Sequence, residues 1–197
     1  MSFLVELERR KKSLRKTKTT ITTIEGKKLL EYNEGNSPII VDTGERTYGF
    51  CEDTKHDVTL AKIEEGLFLG SQDGAHCYEE LQRNNITHIL NVATGVVNVF
   101  AKDFTYKNIE LLDLPETDLV AQLPQMFQFI NDGLQAGAVL VHCNAGVSRS
   151  PAVVIAYLMH KRLLSLGQAF NVVREQRPCV KPNEGFWRQL CNYEQQK

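Results

Sequence analysis

The chain has 197 residues, 42% of them hydrophobic and 24% charged, with 23 basic and 24 acidic side chains. That length buries a core without disulfide staples, and so ordinary a composition excludes a collagen, a heptad-only coiled coil and a wholly disordered chain. A membrane span is excluded as well, because the longest unbroken apolar run, Ala152–Met159, is far short of the roughly 20 residues needed.

The net charge of −1 conceals a partition. Residues 1–28 carry nine basic and three acidic side chains, a net of +6, which leaves −7 for residues 29–197. Residues 1–57 read as a basic arm and linker, and 58–197 as the folded domain. Within the arm region, 33–57 is rich in Asn, Gly, Thr, Asp and Glu and holds one strand signal, at Ile39–Val41. Val58–Ile63 and Leu67–Leu69 read as short strands. Asp73 is placed to cap a helix running to about Asn84, and Thr87–Val92 reads as a buried strand. Tyr106–Leu112 gives another strand, ending in the polar stretch 113–118. Leu123–Leu134 repeats apolar residues at helical spacing, and Gly137 closes that helix. The continuous apolar run Ala138–Val141 predicts a central strand covered on both faces. Helical patterns follow at Pro151–Lys161, Leu166–Arg174 and about Asn183–Tyr193. Strands alternating with helices predict an α/β fold, with a mixed central sheet of about five strands flanked by helices.

The five cysteines, Cys51, Cys77, Cys143, Cys179 and Cys191, are odd in number and widely spaced, and no C-x-x-C pair occurs. Neither a disulfide framework nor a zinc site is expected. The opening MSFLVELERR puts glutamates where a signal peptide needs an apolar core, and Ser2 stands where myristoylation needs glycine. A reducing, cytoplasmic or nuclear setting is expected, and a lone reactive thiol survives there.

The string His-Cys-x5-Arg occurs twice, at His76–Arg83 and at His142–Arg149. The first copy has no glycine, good helix formers throughout, and Glu79 and Glu80 to repel an anion. It reads as a helix surface. The second follows an apolar strand and precedes a helix opened by Ser150 and Pro151, with serine suited to the cap and proline to the first turn. Between them, Asn144-Ala145-Gly146-Val147-Ser148 is small enough for backbone N–H groups to turn inward around a tetrahedral anion. The helix N-terminus adds positive potential, and Arg149 offers a planar fork for two phosphate oxygens. That field favours the thiolate of Cys143, a nucleophile.

VHCNAGVSRSP resembles the signature loop of the cysteine-dependent protein tyrosine phosphatases, in their dual-specificity branch. The resemblance covers about residues 58–195 and runs in order through THILNV, LLDLPETD, the signature, AYLM and RPCVKPNEGFWRQL. It is closest to the small atypical members of that branch. It implies a protein tyrosine phosphatase-like fold and a metal-free, cofactor-free phosphatase working through a phosphocysteine intermediate. Cys143 would attack phosphorus, while Arg149 and the amides of Asn144, Ala145, Gly146, Val147, Ser148 and Arg149 would bind the phosphate oxygens. The leaving oxygen needs a proton. Asp113 matches the family's general acid, and Glu116 and Asp118 stand close by as rivals that spacing does not exclude. Ser150 would hydrogen-bond the departing thiolate, or serve as a helix cap, or both. His142 shapes the loop, and Asn91 and Asn183 either brace it or hold ordinary turn and cap positions.

The resemblance also implies a shallow cleft that accepts phosphoserine and phosphothreonine as well as phosphotyrosine. The absence of lysine from NAGVS counts against an inositol lipid. The expected partner is a phosphorylated protein, with no nucleic acid and no transmembrane segment. A phosphoprotein-binding scaffold of a kinase pathway, or a phosphatase of a lipid or glycan, is the competing reading. The arm Arg9–Lys18 is open to three readings: a solvated tail, a docking element for an acidic groove on a kinase such as those of MAP kinase signalling, or a nuclear-localisation signal.

Overall fold

The computed structural model describes residues 18–22, 27–34, 37–46 and 56–196. The chain divides into two units, residues 1–50 and 51–197. The first is an antiparallel sheet in the order β1 (Thr19–Thr22), β2 (Lys27–Glu34), β3 (Ser37–Arg46). This corrects the reading of 33–57 as a linker with one three-residue strand. The turn-forming residues Asp42, Thr43 and Gly44 do not end β3, because a bulge absorbs them. The register runs from Lys27↔Arg46 to Leu29↔Asp42, so β3 carries extra residues there, and Gly44 takes φ +72°. Asp42 Oδ1 accepts from Gly44 N at 2.9 Å and fixes the bend. Apart from Lys18, the basic arm Arg9–Lys18 lies outside the described residues.

The second unit is built on a five-stranded sheet in the order β4-β5-β8-β6-β7, made of Ala61–Glu64, Leu67–Gly70, Ala138–His142, Ile86–Asn91 and Thr105–Asn108. Only the β4–β5 pairing is antiparallel. The mixed α/β architecture is therefore as the alternation of signals predicts. The helices are α1 (Gln72–Ala75), α2 (Tyr78–Arg83), α3 (Leu123–Ala136), α4 (Arg149–Arg162), α5 (Leu166–Gln176) and α6 (Glu184–Gln195). The period of two along β8 sorts its side chains: Val139 and Val141 join the larger core with α3 to α6, while Ala138 and Leu140 join the smaller one with α1 and α2. β8 is thus the buried axis of the sheet, and it delivers the chain to the site. From Ser150 to Met159, α4 is buried on every side, as a helix carrying AVVIAYLM must be.

Three boundaries depart from the sequence reading. Val58–Leu60 makes no ladder, and β4 begins at Ala61. The single helix expected from Asp73 to Asn84 is two, ending at Ala75 and resuming at Tyr78, and the carboxylate of Asp73 accepts from Asp57 N at 3.1 Å. Ser71 caps instead, its Oγ accepting from Asp73 N and Gly74 N, and α2 restarts after Cys77. β7 stops at Asn108 rather than Leu112, but the chain stays beside the continuation of β6 through Ile109 N to Asn91 O (3.0 Å) and Leu111 N to Val92 O (3.4 Å). Those two bonds carry the following acidic stretch over the end of β8.

Candidate active site

Residues 142–149 connect the end of β8 to the start of α4, and Cys143 is 2% exposed. The carbonyls of Asn144 to Ser148 each accept from a donor outside the loop's centre. Asn144 O accepts from Gln72 N at 2.8 Å, Val147 O from Lys181 N at 2.7 Å and Ser148 O from Ala152 N at 3.0 Å. Ala145 O and Gly146 O accept from Arg177, through Nη2 and Nε respectively, both at 2.9 Å. A trans peptide points its N–H opposite to the preceding C=O, so the amides of residues 145–149 face the loop's interior. Five convergent N–H groups at the mouth of a 14-residue helix form an anion cradle. Gly146 takes φ +67°, and a Cβ there would lie 2.6 Å from Gly70 O, so this position needs glycine on both counts.

Among the described residues, Cys143 Sγ has one hydrogen-bond partner, Ser150 Oγ, which donates to it at 3.1 Å. Ser150 is therefore not a helix cap. Ser148 occupies that position without a capping bond, and its hydroxyl serves elsewhere. Ser148 Oγ donates to Asp113 Oδ1 at 2.7 Å and accepts from Asn183 N at 3.0 Å. Asn183 Nδ2 reaches the same Asp113 oxygen at 2.8 Å, while its Oδ1 caps α6 by accepting from Phe186 N. Asn183 is both cap and brace, and Ser148 is a tether the sequence reading did not single out.

Arg149 lies across the mouth. Its Nη2 donates to Asn144 Oδ1 at 2.6 Å and Nη1 to Leu111 O at 3.3 Å. Its Nε lies 3.6 Å from Asp113 Oδ2, close enough for an ion pair but too far for a hydrogen bond, and Nε is buried with no hydrogen-bond partner. A buried guanidinium N–H without a hydrogen-bond acceptor is a donor able to take an anion.

Of the three candidate acids, Asp113 is the one bonded to the loop. Asp118 Oδ1 accepts from Ala121 N at 3.0 Å, and both Asp118 and Glu116 line a separate depression with Gln189 and Tyr193. The acidic stretch is fixed from α6: Gln189 accepts from Leu119 N and donates to Thr117 O, both at 2.8 Å. A Cβ on Gly185 would overlap Pro115. Gln189 and Gly185 were visible in the sequence only as part of GFWRQL, with no local signal of a role.

His142 is buried 1% exposed, with Nδ1 3.4 Å from Cys143 O. Burial pushes its pKa down from 6.5 to about 4, with the Cys143 carbonyl opposing this and His76 adding to it. The ring is neutral at pH 7. Of the two roles open to Asn91, the structure shows the turn position. Its side chain donates to Val96 O (2.9 Å) and Asn98 Oδ1 (3.0 Å) and accepts from Ala93 N (3.0 Å), so it braces the turn after β6 and does not touch the 142–149 loop. Its backbone sits opposite His142 in the ladder, while its side chain is engaged by Ala93, Val96 and Asn98. Among the described residues, no cluster of three or more His, Cys, Asp or Glu is arranged to hold a metal ion.

The first copy of the motif is helical, as predicted. Cys77 precedes α2, its Sγ lies 3.6 Å from Glu79 Oε2, and Arg83 pairs with Glu80 at the surface.

Residues 67–196 match the family model for the dual specificity phosphatase catalytic domain. The chain is 45% identical to dual specificity protein phosphatase 19 of the mouse over 186 residues, covering 92% of this chain and 84% of that one. Among solved structures it is similar to human DUSP28, at a TM-score of 0.67 and 38% identity over 70% of this chain and 93% of that one. It is also similar to a mouse dual specificity phosphatase complexed with zinc tungstate, at a TM-score of 0.67 and 35% identity over 75% and 92% of the two chains.

Proposed function

This chain belongs to the dual specificity phosphatase family and is a protein phosphatase; from that premise we propose that residues 58–197 form its catalytic domain and that Cys143 carries a phosphocysteine intermediate. The observation that supports this most directly is the ring of outward carbonyls around Cys143, which leaves five amides and the Arg149 guanidinium to hold a phosphate. In the first step the Cys143 thiolate attacks phosphorus. The S–P bond forms as the P–O bond to the substrate breaks, and protonated Asp113 delivers its proton to the leaving oxygen. In the second, water attacks phosphorus, the Asp113 carboxylate takes its proton, and the S–P bond breaks. The hydroxyl of Ser150 stabilises the thiolate released. The amides of residues 145–149 and Arg149 hold the equatorial oxygens throughout. No metal enters either step.

The substrates are phosphotyrosine and phosphoserine or phosphothreonine on proteins, acting in MAP kinase signalling. The basic arm Arg9–Lys18 serves as a docking element for an acidic kinase surface, in the cytoplasm and the nucleus. No described helix is long and apolar enough to cross a membrane. The test is hydrolysis of paired phosphotyrosine and phosphothreonine peptides by wild type and Cys143→Ser. Wild type should turn over both, and Cys143→Ser should bind without turnover. Wild type that is inert under reducing conditions overturns the mechanism. Docking is tested by binding of an Asp113→Ala variant to a doubly phosphorylated MAP kinase, with and without residues 1–18. Equal affinity of the two overturns the arm's role.

A further inference from the structure

The catalytic loop is held open from behind by a side chain that touches neither phosphate nor thiol. Arg177 lies 28 residues beyond Arg149, at the C-terminal end of α5, and is 5% exposed. A lone buried guanidinium is costly unless its charge and its N–H groups are matched. Here the match is with the loop. Nε donates to Gly146 O and Nη2 to Ala145 O, both at 2.9 Å, and Nη2 also meets Asp57 Oδ2 at 2.7 Å. Asp57 is in turn fixed on every side: its N–H donates to Asp73 Oδ2, its C=O accepts from Ser71 Oγ at 2.7 Å, and its carboxylate accepts from Thr59 N at 3.1 Å. Burial raises the Asp57 carboxyl, but the hydrogen bond and charge of Arg177 outweigh it and hold it below the usual carboxylate range.

We propose that Arg177, anchored by Asp57, is a positioning residue for catalysis: it pulls the carbonyls of Ala145 and Gly146 outward and so aims the amides of Gly146 and Val147 at the phosphate. The inference rests on the phosphatase reading of Cys143. The two peptides it grips are the middle of the loop, and no other donor reaches their oxygens among the described residues. The two ends are held by other means, through Gln72 N on Asn144 O and Lys181 N on Val147 O. Rotating either middle peptide would swing a carbonyl toward the phosphate, turning two attractive dipoles into repulsive ones where charge stabilisation matters most. Asp57 stands in the stretch first read as linker, yet it is bonded into the catalytic unit. The guanidinium's two faces of hydrogen bonding explain why lysine cannot substitute fully, since an ammonium offers no rigid fork.

The experiment uses the full chain with Arg177→Met, Arg177→Lys and Asp57→Asn. Steady-state hydrolysis of an aryl phosphate and competitive inhibition by inorganic phosphate are measured, with melting temperature as the check on folding. Loss of one or two aligned donors lowers turnover by roughly 10²-fold, so Arg177→Met should lose about that much in kcat and bind inorganic phosphate about tenfold more weakly. Arg177→Lys should recover part of both, and Asp57→Asn should fall between it and wild type. A folded Arg177→Met with wild-type kcat and phosphate affinity overturns the proposal. If Arg177→Met does not fold, wild-type behaviour of both Arg177→Lys and Asp57→Asn overturns it equally. The same substitutions on a Cys143→Ser background, read as phosphopeptide affinity, separate the two readings. Weakened binding there supports the clamp even if wild type shows no turnover, and unchanged binding counts against it.

Discussion

The two His-Cys-x5-Arg segments have the same string and opposite fates. From Cys77 to Arg83 the backbone is helical: Leu81 N donates to Cys77 O and Asn84 N to Glu80 O, so its amides are spent within the turn. Arg83 is 71% exposed on its side chain and paired with Glu80. From Asn144 to Val147 no carbonyl accepts from the loop itself. They accept instead from Gln72, Arg177 and Lys181, and the amides are left for a ligand. A cysteine and an arginine six apart are therefore not a phosphate site. The backbone between them is, and it becomes one only when the rest of the fold takes its carbonyls.

Substituting equivalent positions of the two copies exposes that difference most strongly. Cys143→Ser should abolish aryl phosphate turnover, a loss of at least roughly 10⁴-fold as for other nucleophile deletions, while Cys77→Ser should leave it unchanged. Comparable losses in both would mean the loop is not the site. Arg149→Lys removes a planar fork and should cost roughly 10³-fold in kcat, against no change for Arg83→Lys; steady-state kinetics decide it.

Sharpening the second copy further, Asp113→Asn should slow hydrolysis of an alkyl phosphate by roughly 10²-fold, and much less for esters with good leaving groups. Glu116→Gln and Asp118→Asn should have no such leaving-group dependence. A greater loss in Asp118→Asn would reassign the acid. The smallest effect is on stability and separates the two histidines. His142 has its pKa lowered to about 4 in the fold against about 6.5 unfolded, so the unfolded chain binds the extra proton. Stability is fully present above pH 6.5 and falls as pH drops toward 4, by about 3 kcal/mol in all. Denaturant titrations across that window should show the slope in wild type and lose it in His142→Asn, whereas His76→Asn should retain it.

Much of the catalytic segment was legible because its cues are contiguous. Ala138–Val141 is continuously apolar, small residues follow, and Pro151 starts a helix; together these describe strand, loop and helix without reference to anything distant. Local cues failed where one side chain had two uses. Ser150 beside Pro151 suggests a cap, but its hydroxyl turns to the sulfur. Asp73 suggests a cap, but its carboxylate is taken by Asp57 N, and Ser71 caps instead. Asn91 lies at the end of a strand pointing at the loop, yet its amide holds the turn through Asn98. In the first unit, Asp42, Thr43 and Gly44 read as linker because turn formers inside a strand are indistinguishable from a turn until the bulge is seen.

The sequence by itself determined the strand-loop-helix that carries Cys143 and Arg149, because this depends on neighbours within a dozen residues. Only the tertiary structure decided which carboxylate reaches the loop, and which donors hold its carbonyls. Asp113, Arg177 and Asn183 lie 31 to 36 residues from the loop residues they touch, and Asp57 lies 120 from Arg177. They meet because the order β5-β8-β6 sets the loop at the middle of the sheet, where α1, the segment after β7 and the strap before α6 all end.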